Sequence, residues 1–285
     1  MNRYKNVKKA SILGILVNLF LLLIKGVIGY LTNSRSMISD AFNSAGDIFS
    51  SLMTFIGNKI SSKPEDDDHN LGHGKAEYIY SLLISIVMIL TSIKVLQNTI
   101  LSVNKNNYSF SNFLIIVSII TIVLKFIMYI YTNKLYKKYN NLLIKANSID
   151  HRNDCFLALM TLISSILLSK NIRFVDIIFG SAISIWIIYQ AVMLYIESYD
   201  VLMDKSINKE TKNKVYDIIN KYSEIKKVNH FNSTPVGYKY QITLTIFVDG
   251  NLSTFNSHEI ANKLEKEIVN SIDEIYLTVI HVNPI

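Results

Sequence analysis

Asn43 and Asp47 stand four residues apart in one apolar stretch, and Asp150 and Asp154 do the same in another. Residues at i and i+4 lie on one helix face, so each pair projects from one side of its helix. Two such faces set against each other offer four oxygen-bearing side chains, enough for a tetrahedral or distorted octahedral cation cage. One isolated Asp would read as a helix-packing residue or a cap near a helix end. Three acids on two apolar stretches need a stronger reason, because a carboxylate at mid-bilayer costs about 2.5–3.5 kcal/mol even on an insertion scale. The two pairs predict a cation site.

A second set of candidate ligands lies in PEDDDHNLGHGKAE (64–77), which gathers Asp66, Asp67, Asp68, His69 and His73. An acidic loop alone is ordinarily a solvated loop. Two histidines four residues apart, with carboxylates just upstream, also fit a transition-metal ligand set. His258 and His281 are isolated near the C-terminus, where a lone histidine is ordinarily a surface or core residue. Lys25 and Lys125 fall inside apolar stretches; the ordinary account is a snorkelling lysine, or one seeking a partner within a bundle.

The elements that must position these groups are membrane helices. Half of the 285 residues are hydrophobic and only 18% are charged, against about 25% for an ordinary soluble domain. Six apolar stretches, approximately 11–31, 36–58, 78–102, 111–132, 144–169 and 174–197, are long enough to cross a bilayer, which takes roughly 20 helical residues. The first is too long for a signal-peptide h-region and lacks a small-residue cleavage site, so it is expected to remain in the protein. The second and fifth carry the paired polar residues, which a span keeps by turning them into a bundle interior.

Charge placement sets the orientation. Arg3, Lys5, Lys8 and Lys9 precede the first stretch, Lys59, Lys63 and Lys75 follow the second, and Lys134, Lys137 and Lys138 follow the fourth. The opposite connections hold only Arg35, Lys105, Lys170 and Arg173. Both termini are thus expected in the cytoplasm of a multi-pass protein of the cell membrane. The net charge of +7 belongs to this topology, and nucleic acid is set aside as a partner. The single Cys155 forms no internal disulfide.

From about residue 204 the composition turns polar. NKETKNKVYDIINKY (208–222) is amphipathic, and two strands joined through Pro235-Val236-Gly237 follow it. Next come a helix from about 255, with Ile260, Leu264 and Ile268 at near-helical spacing, and a last strand in EIYLTVIHVNP. The fold class is therefore an α-helical membrane protein with six transmembrane helices (1–203) and a C-terminal α+β domain of order α-β-β-α-β (204–285). A domain of some 80 residues is marginal alone and is expected to be steadied by self-association.

These features together resemble the cation diffusion facilitators, proton-coupled exporters of divalent transition metals. SxxxDxxNSxxD (36–47), GHGKAE (72–77) and DHRND (150–154) carry the resemblance, which spans nearly the whole chain. It implies a transport site of Asn43, Asp47, Asp150 and Asp154, a secondary loop site of Asp66, His69 and His73, a metallochaperone-like cytoplasmic domain and a homodimer. Zinc-preferring members commonly place His where Asp150 stands here, while His151 next door points about 100° away around the helix. The all-oxygen quartet looks like the manganese-exporting branch. Ligand chemistry agrees, since imidazole suits Zn²⁺ whereas carboxylate and amide oxygen suit Mn²⁺.

The C-terminal domain departs from the zinc-type pattern. Thr243 stands at a histidine position, and His281-Val282-Asn283-Pro284 replaces His-x-Asp-Pro. His258 and His281 are left as weak candidates for one ion, and the dimer is expected to be held mainly by protein contacts. Lys75 and Asp204 match a salt-bridged pair of relatives, and Asp176 matches a structural acid. The expected function is Mn²⁺/proton antiport by alternating access, with no resident cofactor and no covalent chemistry. Export of Zn²⁺, Fe²⁺ or Co²⁺ by the same route stays open. The rivals from other classes are a membrane-embedded metal-dependent hydrolase using the Asp/His loop, a channel and a metal receptor.

Overall fold

The computed structural model describes residues 2–31, 35–101, 112–168 and 174–285. Lys105, Lys170 and Arg173, three of the charges used for the orientation argument, lie outside the described residues, as do the side chains of Arg35 and Asp176. Two compact units form: Met1–Ser62 with Ala76–Tyr199, and Lys63–Lys75 with Asp200–Ile285.

The first unit is built from α1 (Asn2–Leu31), α2 (Arg35–Ser61), α3 (Ala76–Leu101), α4 (Asn112–Tyr139), α5 (Leu142–Leu168) and α6 (Phe174–Leu202). Most of these helices run past the apolar stretches predicted for them. The added turns are polar ends, such as Lys137 and Lys138 in the last turn of α4, where cations meet the negative end of the helix dipole. Within α1, α3, α4 and α6 the described residues include stretches long and apolar enough to cross a membrane. The more polar α2 and α5 carry the paired site residues.

Burial in this unit is inverted relative to a soluble protein. Leu16, Leu23, Ile127 and Ile185 are exposed, while Asn18, Ser44, Thr54, Asn147 and His151 are buried. Such an exterior suits a lipid surrounding, and the polar groups seek each other inside. Asn18 donates to Ser51 at 3.4 Å and Thr54 to Asn147 at 3.2 Å, tying α1 to α2 and α2 to α5. Small residues let the helices close: a β-carbon on Gly14 would fall 2.7 Å from the Ser51 hydroxyl. α1 packs mainly against α2 and α4 against α5, while a smaller contact joins α2 to α5 and brings the two polar helices together.

The N-terminal end of α1 is locked by an ion pair. Arg3 pairs with Glu77 at 2.8 Å and also donates to the Tyr139 carbonyl at 3.2 Å. Glu77 in turn accepts from the Leu142 backbone N–H at 2.7 Å. One carboxylate thus holds the ends of α1, α3 and α5.

The second unit contains the 63–75 loop, α7 (Lys209–Ile219), β1 (Lys227–Val236), β2 (Lys239–Val248), α8 (Thr254–Ser271) and β3 (Ile275–Pro284). The predicted order α-β-β-α-β is the observed one. Two boundaries are corrected. The polar 208–222 stretch is helical only over 209–219, with Asn208 capping its start by accepting from the Thr211 N–H at 2.8 Å. β1 continues through Val236, so the reversal falls at Gly237-Tyr238 rather than at Pro235-Val236-Gly237. Gly237 has φ +62°, which glycine adopts without strain.

β1 and β2 pair antiparallel, whereas β2 and β3 pair parallel across the α8 crossover. Ile242, Leu244, Ile246 and Val248 alternate onto one sheet face and meet Val215, Ile218, Leu264 and Ile268 from the two helices. Helices therefore cover one face of the sheet. The 63–75 loop is fastened within this unit: a β-carbon on Gly74 would lie 2.6 Å from the Gly237 α-carbon. Lys75 pairs with Asp204 at 2.7 Å, and Tyr276 donates to Glu65 at 3.3 Å.

Candidate metal centre

The four-residue spacing on α2 and α5 places side chains as helix geometry requires. Asp47 and Asp154 are buried and Asp150 is half-buried. One oxygen from each of the three carboxylates lies within 4.8 Å of the others. That separation is about twice a metal–oxygen bond of 2.0–2.6 Å, so one cation can bridge them with small adjustments. Asn43 lines the same cavity, one turn before Asp47. All four residues predicted for the transport site therefore face one space between α2 and α5.

His151 behaves as its helical offset predicts. It is fully buried, yet its Nε2 lies 4.0 Å from where a Gly14 β-carbon would stand, so the ring faces α1 and not the carboxylates. His151 thus adds no nitrogen donor to the three clustered acids.

One member of this centre was missed by the motif reading. The Lys125 ammonium on α4 donates to Asp47 Oδ2 at 2.7 Å and also to Asp154 Oδ2. Its side chain is 1% exposed. Of the two ordinary accounts, partner-seeking holds for Lys125 and snorkelling does not. A lysine amid SIITIVLKFIMYIY was the available signal, since an intramembrane charge is by default paired. A cavity of about 260 Å³ adjoins the centre, and Lys25, Asp40, Lys94, Thr121 and Lys125 contribute to its lining with Asp47 and Asp154. Lys25 donates to the Ser44 hydroxyl at 3.3 Å.

The loop residues also converge. Asp66 meets His69 Nδ1 at 3.1 Å and His73 Nε2 at 3.4 Å, and the two rings lie 4.4 Å apart. One ligand atom from each of the three falls within 4.8 Å of the others. His73 Nδ1 lies 3.2 Å from the Pro64 carbonyl, which can only accept, so this nitrogen carries the proton. With Nδ1 on that carbonyl, Nε2 is the nitrogen turned toward Asp66, as a metal held between them needs. Burial pushes the Asp66 carboxyl upward, but hydrogen bonds from the His69 side chain and backbone, with the charge of His73 and His69, together hold it below its ordinary value. Asp67 and Asp68 are exposed neighbours outside this trio.

His258 lies exposed at the start of α8, and His281 lies exposed on β3 opposite Thr245. Among the described residues, neither belongs to a group of three potential ligands. Thr243, also exposed, pairs with Val279 on β3.

Comparison with known proteins places this geometry. The model of the cation efflux transmembrane domain matches residues 11–203, and that of the cation efflux protein cytoplasmic domain matches 207–285. The chain is 30% identical to the manganese efflux system protein MneP of Bacillus subtilis (strain 168), covering 97% of this chain and 96% of that protein. It is 28% identical to the manganese efflux system protein MneS of the same organism, covering 94% and 93%. The magnetosome protein MamB of Magnetospira sp. (strain QH-2) is 24% identical, with 92% and 89% covered. The chain belongs to the cation efflux family of membrane transporters, with a helical transmembrane domain followed by an α+β cytoplasmic domain.

Proposed function

We propose that this chain exports Mn²⁺ from the cytoplasm in exchange for protons, by alternating access of one site between α2 and α5. The observation that carries this reading is the convergence of Asp47, Asp150 and Asp154 on one space that Asn43 also lines. Oxygen donors suit Mn²⁺, and the similarity to two manganese efflux proteins points the same way. The cation enters from the cytoplasm, and the three carboxylates with the Asn43 carbonyl replace part of its water. Rocking of the bundle then turns the site outward, where protons compete for the same oxygens. Each inward proton draws on the membrane potential, worth about 2.3 kcal/mol per charge per 100 mV.

Residues 1–203 carry transport, and both termini lie in the cytoplasm of a bacterial cell membrane. Residues 204–285 hold two copies together as a homodimer, with lipid around the first part. Asp66, His69 and His73 form a secondary metal site; His258 and His281 remain weak ligands for one further ion.

The second reading keeps the mechanism and changes the cargo to Zn²⁺, Fe²⁺ or Co²⁺. Divalent affinities at a given site rise from Mn²⁺ toward Zn²⁺, so ligand type biases selectivity without excluding these ions. The deciding experiment is uptake of Mn²⁺, Zn²⁺, Fe²⁺ and Co²⁺ by reconstituted vesicles under an imposed pH gradient. Proton-coupled uptake with Mn²⁺ preferred supports the proposal. Flux indifferent to the gradient points to a channel, and binding without flux points to a receptor. A metal-dependent hydrolase would keep its activity after loss of Asp150.

A further inference from the structure

An ammonium already sits on two of the oxygens that the cargo needs. Lys125 Nζ donates to Oδ2 of Asp47 and Oδ2 of Asp154, bridging α2 and α5 from α4. A divalent ion ligated by these carboxylates would meet a like charge at bonding distance, so cargo and ammonium cannot share these positions. Three carboxylates and one ammonium leave a formal charge of −2, which one divalent ion cancels while Lys125 stays in the neighbourhood.

The structure also offers the ammonium somewhere to go. Thr121 lies one turn before Lys125 on α4 and lines the same cavity of about 260 Å³. Its hydroxyl is buried and has no hydrogen-bond partner among the described residues. Helical side chains lean toward the N-terminal turn of their own helix, so a lysine reaches the i−4 hydroxyl by rotation of its stem. Asp40 lines this cavity too, together with Lys25 and Lys94.

We propose that Lys125 is a tethered counter-cation of the transport site: it neutralises Asp47 and Asp154 when no cargo is bound, and the arriving divalent ion displaces it onto Thr121. This deepens the proposed function and rests on its assignment of the site. An internal competitor weakens cargo binding enough for release and spares the empty site an uncompensated acid cluster. It also matches the site to a divalent charge. A lysine that merely holds the helices together would act in the opposite sense, since its removal would loosen the site and weaken binding.

The test is Mn²⁺ titration of the purified full-length chain in nanodiscs, together with Mn²⁺ flux in vesicles. Lys125→Met is expected to bind Mn²⁺ about tenfold more tightly and to turn over more slowly, because nothing replaces the departing ion. Thr121→Val removes the acceptor of the displaced ammonium and should bind Mn²⁺ several-fold more weakly. A folded Lys125→Met variant that binds equally or more weakly overturns the inference. Should that variant fail to insert, Thr121→Val decides: unchanged affinity overturns the inference and weaker binding upholds it. Asp154→Ala separates the two proposals. If it binds Mn²⁺ as well as wild type, the site assignment itself falls, and this inference falls with it.

Discussion

Arg3 and Glu77 meet at 2.8 Å with side chains only 9% and 2% exposed, although 74 residues separate them. The pair joins the start of α1 to the start of α3, and Glu77 also receives the backbone N–H of Leu142. Removing one partner of a buried pair strands the other charge, which costs about 3–5 kcal/mol. Glu77→Ala and Arg3→Ala should each lower the thermal midpoint of the full chain in detergent by several degrees. The double variant should cost less than the sum of the two. Additive losses would show that the two side chains do not stabilise the bundle as a pair.

Asp47→Ala and Asp154→Ala should each abolish Mn²⁺ efflux without preventing membrane insertion. Both acids face the shared space, and each also holds Lys125. Flux in vesicles, normalised to inserted protein, is the measurement. Normal efflux from either variant would sink the transport-site assignment.

Asp150→His should move selectivity toward Zn²⁺, because imidazole replaces oxygen at the one half-buried acid of the trio. The ratio of Mn²⁺ to Zn²⁺ uptake reports the change directly. An unchanged ratio would mean that donor type at this position does not set selectivity.

The loop site should lose metal on acidification and not on mild alkalinisation. Histidine must be neutral to bind a metal, so protons compete at the His69 and His73 rings. Asp66, pushed up by burial but held low by its hydrogen bonds with His69 and the two rings' charge together, stays ionised to lower pH than an ordinary carboxylate. Zn²⁺ titration of the full chain carrying Asp47→Ala isolates this site. Adding His73→Ala should then remove the remaining high-affinity binding, and its persistence would place the metal elsewhere.

Tyr222 donates to Glu267 at 2.8 Å, joining the end of α7 to α8. Burial, the hydrogen bond and the negative charge of Glu267 and Glu224 push the phenol from 10.0 up to about 12. A group raised on folding stabilises the native state below its unfolded value and loses that contribution as pH climbs through the folded one. Tyr222→Phe should therefore be less stable than wild type near neutral pH, with the difference shrinking between about pH 10 and 12. Denaturation of the full chain followed by near-ultraviolet dichroism tests this, and a difference that persists at the alkaline end contradicts it.

What was legible in the sequence was local. Helix geometry turns a four-residue spacing into a shared face, so Asn43 with Asp47 and Asp150 with Asp154 could be paired before any packing was known, and His151 could be aimed away from them. Apolar length marked the helices α1–α6, and β-forming residues marked the strand β2. Helix ends were less legible, because polar turns such as the one holding Lys137 and Lys138 continue the hydrogen-bond ladder without an apolar signature.

Tertiary structure decided which distant groups meet. Lys125 lies 78 and 29 residues from its two acids, and no local pattern encodes that encounter. The attachment of the 63–75 loop to the α+β unit depends on Gly74 reaching Gly237, and the parallel pairing of β2 with β3 depends on where α8 crosses. Side-chain spacing along a helix is set by its own backbone, whereas a contact between elements exists only once burial and chain entropy have chosen one packing from many. The acids of this protein were determined by its sequence; the cation that holds two of them was chosen by its fold.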